Sequence, residues 1–283
     1  MNDDILQAAK AIKEADAILI SAGAGMGVDS GLPDFRGNTG FWRAYPALKK
    51  KKLSFVDLAN PRWFHNDPHR AWGFYGHRYK LYRSTSPHKG FQILKKWCAT
   101  KAGGPFIFTS NVDGHFQKAG FNPDCIYECH GSINHQQCLG MCDSGIWPVS
   151  GLDFKVNMES LQAVGNLPRC PLCGGVSRPN IQMFSDSEWR TERSADQNKR
   201  YGSWLSSQYG KKVVNIELGA GLAIPTVRIA SESIAGTLIR INPLDNEKTP
   251  KVRKRAYNLN KIISLKSGAL ETLRAIDESM KAL

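Results

Sequence analysis

The stretch that decides the fold reads Ala17-Ile18-Leu19-Ile20-Ser21-Ala22-Gly23-Ala24-Gly25-Met26-Gly27. The apolar run from Ala17 to Ile20 predicts a short buried strand. The chain passes from it into a glycine cluster, as an α/β nucleotide-binding unit does where backbone must come close to phosphate. Taken alone, such a cluster also marks an ordinary turn. Just upstream, Ile5, Ala8, Ala9 and Ile12 stand at i, i+3, i+4 and i+7, the apolar stripe of an amphipathic helix. Downstream, Pro105–Thr109, Asp124–Cys129, Asn180–Phe184, Val213–Leu218 and Leu238–Ile241 are strand-like runs, most of them continuously apolar and separated by helical patterns. Such strands are buried on both faces, as in a parallel sheet. The pattern predicts an α/β fold built on a Rossmann-like parallel sheet.

Two stretches interrupt this rhythm. Residues 38–87 are rich in aromatic and basic side chains, with a helical pattern around Ala71–Tyr82, and residues 134–178 hold four cysteines among glycines and prolines. The expected organisation is a discontinuous sheet domain of residues 1–37, 88–133 and 179–283, a helical insertion at 38–87 and a cysteine-bearing module at 134–178.

Composition narrows the partners. Of the 283 residues 41% are hydrophobic and 22% charged, enough apolar material for a folded core, which excludes intrinsic disorder. Ala17–Val28 is uncharged but far shorter than the ~20 residues a membrane helix needs, so no membrane partner is expected. The start, Met1-Asn2-Asp3-Asp4-Ile5-Leu6-Gln7, is acidic where a secretory signal is basic, and a cytoplasmic protein is expected. Lys plus Arg number 38 against 25 Asp plus Glu, a formal net charge of +13. That field draws nucleic acid, acidic proteins and small anions alike. Its basic runs, at Lys49–Lys52, Lys95-Lys96, Lys211-Lys212 and Lys248–Arg255, are scattered and not interleaved with aromatics, so nucleic acid is possible but solvated faces are favoured.

Cys138-Leu139-Gly140-Met141-Cys142 and Cys170-Pro171-Leu172-Cys173 form two short pairs. Each pair can present two thiolates at adjacent corners of a tetrahedron, and the two together complete a closed shell for a structural Zn²⁺. The other reading is a pair of local disulfides or plain core cysteines. His135 is a substitute ligand, for which four cysteines leave no vacancy. Cys98, Cys125 and Cys129 lie in apolar runs and are expected to behave as small hydrophobes.

After the glycine cluster the chain reads Asp29-Ser30-Gly31-Leu32-Pro33-Asp34-Phe35-Arg36-Gly37. Here it resembles the sirtuin family of NAD-dependent protein deacylases. The resemblance continues through Thr109-Ser110-Asn111-Val112-Asp113, His130-Gly131-Ser132, the two cysteine pairs, Arg178-Pro179 with Phe184, Gly219 and Asn242, in the family's order and over nearly the whole chain. It implies that the sheet domain binds NAD, with a smaller zinc-binding lobe beside it, and that the enzyme moves an acyl group from lysine to ADP-ribose with release of nicotinamide. Its substrate is then an acylated-lysine protein or peptide.

Residue by residue, the resemblance implies that Gly23, Ala24 and Gly25 let backbone approach the NAD pyrophosphate. Asp34, Phe35 and Arg36 belong to the same cofactor loop, with Arg36 supplying charge to the phosphates and Phe35 covering the ribose centre. Ser110, Asn111, Val112 and Asp113 match the nicotinamide-ribose region, the Asp113 carboxylate reading the carboxamide, and Gly219 and Asn242 match the adenosine side. His130 matches the general base: once the acyl oxygen has displaced nicotinamide, it takes the proton from a ribose hydroxyl so that the acyl group migrates. Catalysis is thus expected from His130 with Asn111 and Asp113, and substrate contact from Ile181 and Phe184.

Tyr75 and Arg78, three apart in the helical pattern, share one face. In some sirtuins a Tyr-x-x-Arg pair in this region faces the acyl chain, so the resemblance implies a pair suited to a carboxylate and hence to acidic acyl groups such as succinyl. Equally, Arg78 is a surface arginine and Tyr75 a core aromatic. The chain departs from the family at Gly27, at Ser110 where glutamine is usual, at Gln182 and at Ala220-Gly221, which removes hydroxyl donors near the cofactor. These departures leave an alternative, an NAD-consuming ADP-ribosyltransferase or NAD glycohydrolase.

Overall fold

The computed structural model describes residues 3–33, 41, 42, 45, 46, 49, 52–246 and 259–283. The first helix forms as α1, Asp3–Glu14, with Asp3 and Asp4 in the first turn and Ala8, Ala9 and Ile12 buried. β1 spans Ala17–Ala22 and is buried throughout. The glycine cluster after it winds into a short 3-10 helix, Ala24–Ser30.

Further elements among the described residues are α2 (Phe55–Leu58), α3 (Arg62–Asn66), α4 (Pro68–Ser84) and α5 (Lys89–Cys98). Next come β2 (Pro105–Thr109), α6 (His115–Lys118), β3 (Ile126–Glu128), β4 (Gly131–Cys138), β5 (Ile146–Pro148), β6 (Phe154–Asn157), β7 (Gln162–Gly165) and β8 (Ser177–Ile181). The chain ends with α7 (Glu192–Ser207), β9 (Val213–Leu218), α8 (Thr226–Glu232), β10 (Gly236–Ile241), β11 (Leu259–Leu265) and α9 (Ala269–Lys281).

Six strands form the parallel sheet, in the order β11-β10-β9-β1-β2-β3. Side chains of β1 alternate between its faces: Ile18 and Ile20 join a core with Ile12, Phe91, Trp97 and Ile276, while Ala17 and Leu19 face one with Phe106, Phe108 and Tyr201. Both faces are covered, which is why β1 is apolar at every position from 17 to 20. Burying Ile12 alone contributes about 1.5–3 kcal/mol.

Two expectations need correction, and one strand was not expected. The run at Asn180–Phe184 is not a parallel strand; β8 starts and ends earlier and lies in an antiparallel three-stranded sheet, β5-β4-β8. Pro179 has no N–H for a central ladder, and the buried polar Arg178 and Asn180 do not suit an apolar sheet core. Within Asp124–Cys129 only Ile126–Glu128 is strand, because Asn122 and Pro123 open a 3-10 turn first. β11 escaped notice: it is an edge strand, with Asn260 and Lys261 breaking the apolar run.

The smaller lobe has its own core. Trp72, Phe74 and Tyr75 of α4 pack with Phe154, Leu161 and Ala163 from the β6–β7 hairpin, so the helical and cysteine-bearing stretches share one apolar cluster. Gly73 permits this approach: a Cβ there would lie 2.3 Å from the Leu161 carbonyl oxygen. β4 and β8 run across residues 133/134 and 178/179, linking this lobe to the sheet domain. No helix among the described residues is long and apolar enough to cross a membrane.

Candidate active site

The site stands where parallel strands end. Gly23 follows β1, Ser110 follows β2, the Cys129-His130 turn follows β3, Gly219 follows β9 and Asn242 follows β10. From β1 the chain continues to β2 on one side while β9 pairs on the other, so the crevice beyond β1 is the topological switch point where open α/β sheets bind ligands. The ladder carries on one residue past the strands: Gly23 N donates to Leu218 O (2.9 Å), Ser110 N to Ala22 O (3.2 Å), Cys129 N to Thr109 O (2.9 Å), Gly219 N to Ile241 O (3.0 Å) and Asn242 N to Leu265 O (3.1 Å).

A cavity of about 370 Å³ opens over these ends. One wall is backbone and small side chains: Gly23, Ala24, Gly27, Gly219, Ala220 and Gly221. Gly219 has φ 60°, and a Cβ on it would lie 2.4 Å from the Gly25 carbonyl carbon, so the two turns touch backbone to backbone. Gly25 therefore sits behind the wall, donating its N–H to Gly219 O at 3.0 Å, and does not line the cavity. Asn242 does not line it either. Its buried amide donates to Ala220 O (2.8 Å) and its oxygen accepts from Leu244 N and Asp245 N (both 3.0 Å), so it holds the turn from below.

A charged cluster that the sequence analysis missed supports the same turn. Glu217 on β9 is fully buried and pairs with Arg240 (2.8 Å) and Arg228 (3.3 Å), and Arg228 also donates to Ala220 O (3.1 Å). Charges this deep are tolerated only when paired and hydrogen-bonded. In the sequence only Glu217 and Arg240 stand out, each a lone charge in a strand-like run, and nothing there pairs them with each other or with Arg228.

The floor holds Ser110, Asn111, Val112, Asp113 and His130. The Asn111 amide donates to Gly23 O (2.9 Å), which fixes it against the glycine wall. Asp113 Oδ1 accepts from His115 N (2.8 Å); burial pushes its carboxyl above the usual range, and the nearby His115 and Arg78 oppose that shift. Ile133 N donates to Val112 O (2.9 Å), bringing β4 up to the floor. Burial holds the His130 imidazole below its ordinary value, so it is neutral at neutral pH and able to accept a proton. Cys129 points into the sheet core instead, its thiol pushed up to about 12 by burial, which removes it as a nucleophilic partner.

The opposite wall is built from side chains: Tyr75, Arg78 and Tyr82 of α4, Phe55 and Ala59, and Ile181 to Phe184. Arg78 is not a surface arginine, being 6% exposed, and its guanidinium lies 5.3–5.7 Å from the ring centroids of Phe55, Phe74, Tyr75 and Tyr82. Its Nε donates to the Tyr82 hydroxyl (3.0 Å). The Tyr75 hydroxyl is buried with no hydrogen-bond partner among the described residues. A phenol and a guanidinium side by side on an apolar wall can receive an anionic group. The 181–186 turn is fixed by Gln182 N donating to His130 O (3.0 Å), Phe184 N to Ala59 O (2.8 Å), and a fully buried Arg178–Asp186 pair. Tyr82, Gln182 and Met183 were not among the expected contacts; only their spacing from Arg78 and Phe184 hinted at them.

At the far end of β4 the four sulfurs of Cys138, Cys142, Cys170 and Cys173 lie within 4.8 Å of one another, Cys138 to Cys173 and Cys142 to Cys170 both at 3.5 Å. A tetrahedral zinc with 2.3 Å bonds needs sulfurs about 3.8 Å apart. The donor set fits a structural zinc with no position left for water. His135 takes no part, its ring instead held to a value of about 4 by burial and Arg193. Asp34, Phe35 and Arg36, expected in the cofactor loop, lie outside the described residues.

Residues 23–199 match the Sir2 family model. An NAD-dependent protein deacylase of Thermococcus kodakarensis is 32% identical over 182 residues, covering 63% of this chain and 63% of that protein; the match thus spans just under two thirds of its length. An NAD-dependent protein deacetylase of Saccharolobus solfataricus is 31% identical over 233 residues, 79% of this chain and 81% of the relative. Among solved structures, the crystal structure of a Sir2 homolog–NAD complex superposes with a TM-score of 0.69 at 24% identity, over 98% of this chain and 94% of the other, which establishes the shared fold.

Proposed function

This chain belongs to the Sir2 family, and from that premise we propose that it is an NAD-dependent protein-lysine deacylase whose substrate is an acylated-lysine protein or peptide. The observation that carries the proposal is one cavity with three kinds of wall: glycine backbone at the switch point, a polar floor of Asn111, Asp113 and His130, and an aromatic wall ending at Ile181–Phe184. NAD, when bound, supplies an electrophilic ribose carbon and nicotinamide as leaving group. Gly23 and Ala24 give its phosphates close access, and Gly219 shapes the adenosine side. Asn111 and Asp113 orient the nicotinamide-ribose end. His130, neutral and half-buried, accepts the proton that a ribose hydroxyl must lose before the acyl group can move.

Phe184 and Ile181, beside His130, support the peptide side of the cavity. Tyr75 and Arg78 favour an acidic acyl chain, since the phenol has no hydrogen-bond partner among the described residues and the guanidinium adds positive charge to an apolar wall. The division at 37/38, 87/88, 133/134 and 178/179 and a cytoplasmic location belong to the same proposal, the latter supported by cysteines spaced for metal in place of disulfides.

The test is to incubate the protein with NAD and matched acetyl-lysine and succinyl-lysine peptides, following nicotinamide and peptide mass together, with His130→Ala in parallel. The expected outcome is one nicotinamide per acyl group lost, abolished by the substitution. Nicotinamide released without loss of acyl mass would instead favour glycohydrolysis or ADP-ribosyl transfer.

A further inference from the structure

The turn lining the substrate side of the cavity continues into residues 185–190, and that segment is fastened to the zinc knuckle. Arg190 is the fastening. Its backbone is fixed to the antiparallel sheet, its N–H donating to Gln137 Oε1 (3.1 Å) and its carbonyl accepting from Asn180 Nδ2 (2.9 Å). Its side chain reaches the other way, one guanidinium nitrogen donating to the carbonyls of Met141 (3.3 Å) and Cys142. Gln137, one residue before the ligand Cys138, also donates to Glu188 O (2.7 Å). Asp186, four residues before Arg190, ties the turn to Arg178 and accepts from Met183 N (3.1 Å), a cavity residue.

We propose that Arg190 is a positioning residue that couples zinc occupancy to binding of the acylated peptide. The carbonyls it holds belong to the Cys138–Cys142 knuckle, whose backbone takes one shape when its two thiolates share a metal. With the knuckle set, Arg190 and Gln137 hold the 185–190 segment, which in turn holds Met183 and Phe184 at the cavity. Binding free energies are reciprocal, so a peptide that rests on this turn tightens the knuckle's grip on zinc by the factor that zinc improves peptide binding. The inference rests on the deacylase reading for the identity of the peptide. The metal-to-turn path rests only on the hydrogen bonds given above.

The experiment measures zinc transfer from the zinc-loaded protein to a chromogenic chelator, without turnover, in the presence and absence of saturating acetyl-lysine peptide or of NAD. The expected result for the wild type is release slowed about fivefold or more by the peptide. In Arg190→Ala, zinc leaves faster and the peptide slows it less than about twofold, because the strap between the two sites is gone. The peptide KM of the variant rises about tenfold, as for loss of a charge-assisted hydrogen bond, while the NAD KM moves less than about twofold. Arg190→Lys, a single-point donor, falls between; it carries the same comparison should Arg190→Ala not hold one zinc per chain. Equal protection by peptide in wild type and variants overturns the coupling, as does an unchanged peptide KM in Arg190→Ala. The deacylase reading is judged separately, by nicotinamide release in turnover, so the two can fail independently.

Discussion

The two walls of the cavity are made of different material. The wall at the switch point is backbone, Gly23, Ala24 and Gly219 to Gly221, held by strand-end hydrogen bonds and a buried charge cluster. The facing wall is side chains on a helix, Tyr75, Arg78 and Tyr82, with a turn braced from the zinc lobe. A backbone wall accepts one shape and offers little to vary, which suits a constant cofactor. A side-chain wall can change its chemistry one residue at a time, which suits a variable acyl group.

The sharpest way to break this contrast is at the floor, where the walls meet. His130→Ala is expected to lower deacylation by about 10²- to 10⁴-fold, as for loss of a general base. If nicotinamide exchange persists in the same variant, His130 serves the acyl step and not cofactor seating, which is left to Asn111 and Asp113. Next in size, Arg78→Met is expected to reduce the ratio of desuccinylation to deacetylation by on the order of ten- to a hundredfold, the worth of a hydrogen bond to a charged group. Equal losses on both peptides would show that this wall does not read the acyl terminus. Gly219→Ala tests the other wall: its Cβ would meet the Gly25 backbone at 2.4 Å, in a left-handed conformation, so the NAD KM should rise about tenfold. The peptide KM should stay put. The smallest effect concerns pH. Because burial lowers the His130 value, the base form persists below the ordinary 6.5, and the acid limb of kcat/KM should fall to the acid side of that value.

Much of the backbone wall was legible in advance. A run apolar at every position from Ala17 to Ile20, then Gly23, Ala24 and Gly25, gained its weight from the motifs that follow it, and the parallel sheet followed from β1, β2, β9 and β10. The cysteine spacing likewise foretold the cluster at the end of β4. What the sequence concealed has physical causes. Glu217, Arg228 and Arg240 look like solvated charges until the fold brings them together with both arginines on one carboxylate. Gly25 and Asn242 carry motif positions but act behind the wall, a distinction of a few ångströms that no spacing encodes. Arg78 was ambiguous because a helix face predicts only which residues share it, not whether it meets water. The answer depended on Phe55 of α2 closing over the face of α4 that carries Phe74, Arg78 and Tyr82.

The strand-end hydrogen bonds have a consequence for motion. The amides of Gly23, Ser110, Cys129, Gly219 and Asn242 each donate to the last carbonyl of a neighbouring strand, so exposing any of them to solvent means parting two strands of the main sheet. Deuterium uptake at these five positions should therefore follow global opening and not local loop fluctuation. The cofactor floor then belongs to the same cooperative unit as the hydrophobic core, and mutations that loosen the core far from the cavity should be felt as a loss of cofactor affinity before the protein unfolds.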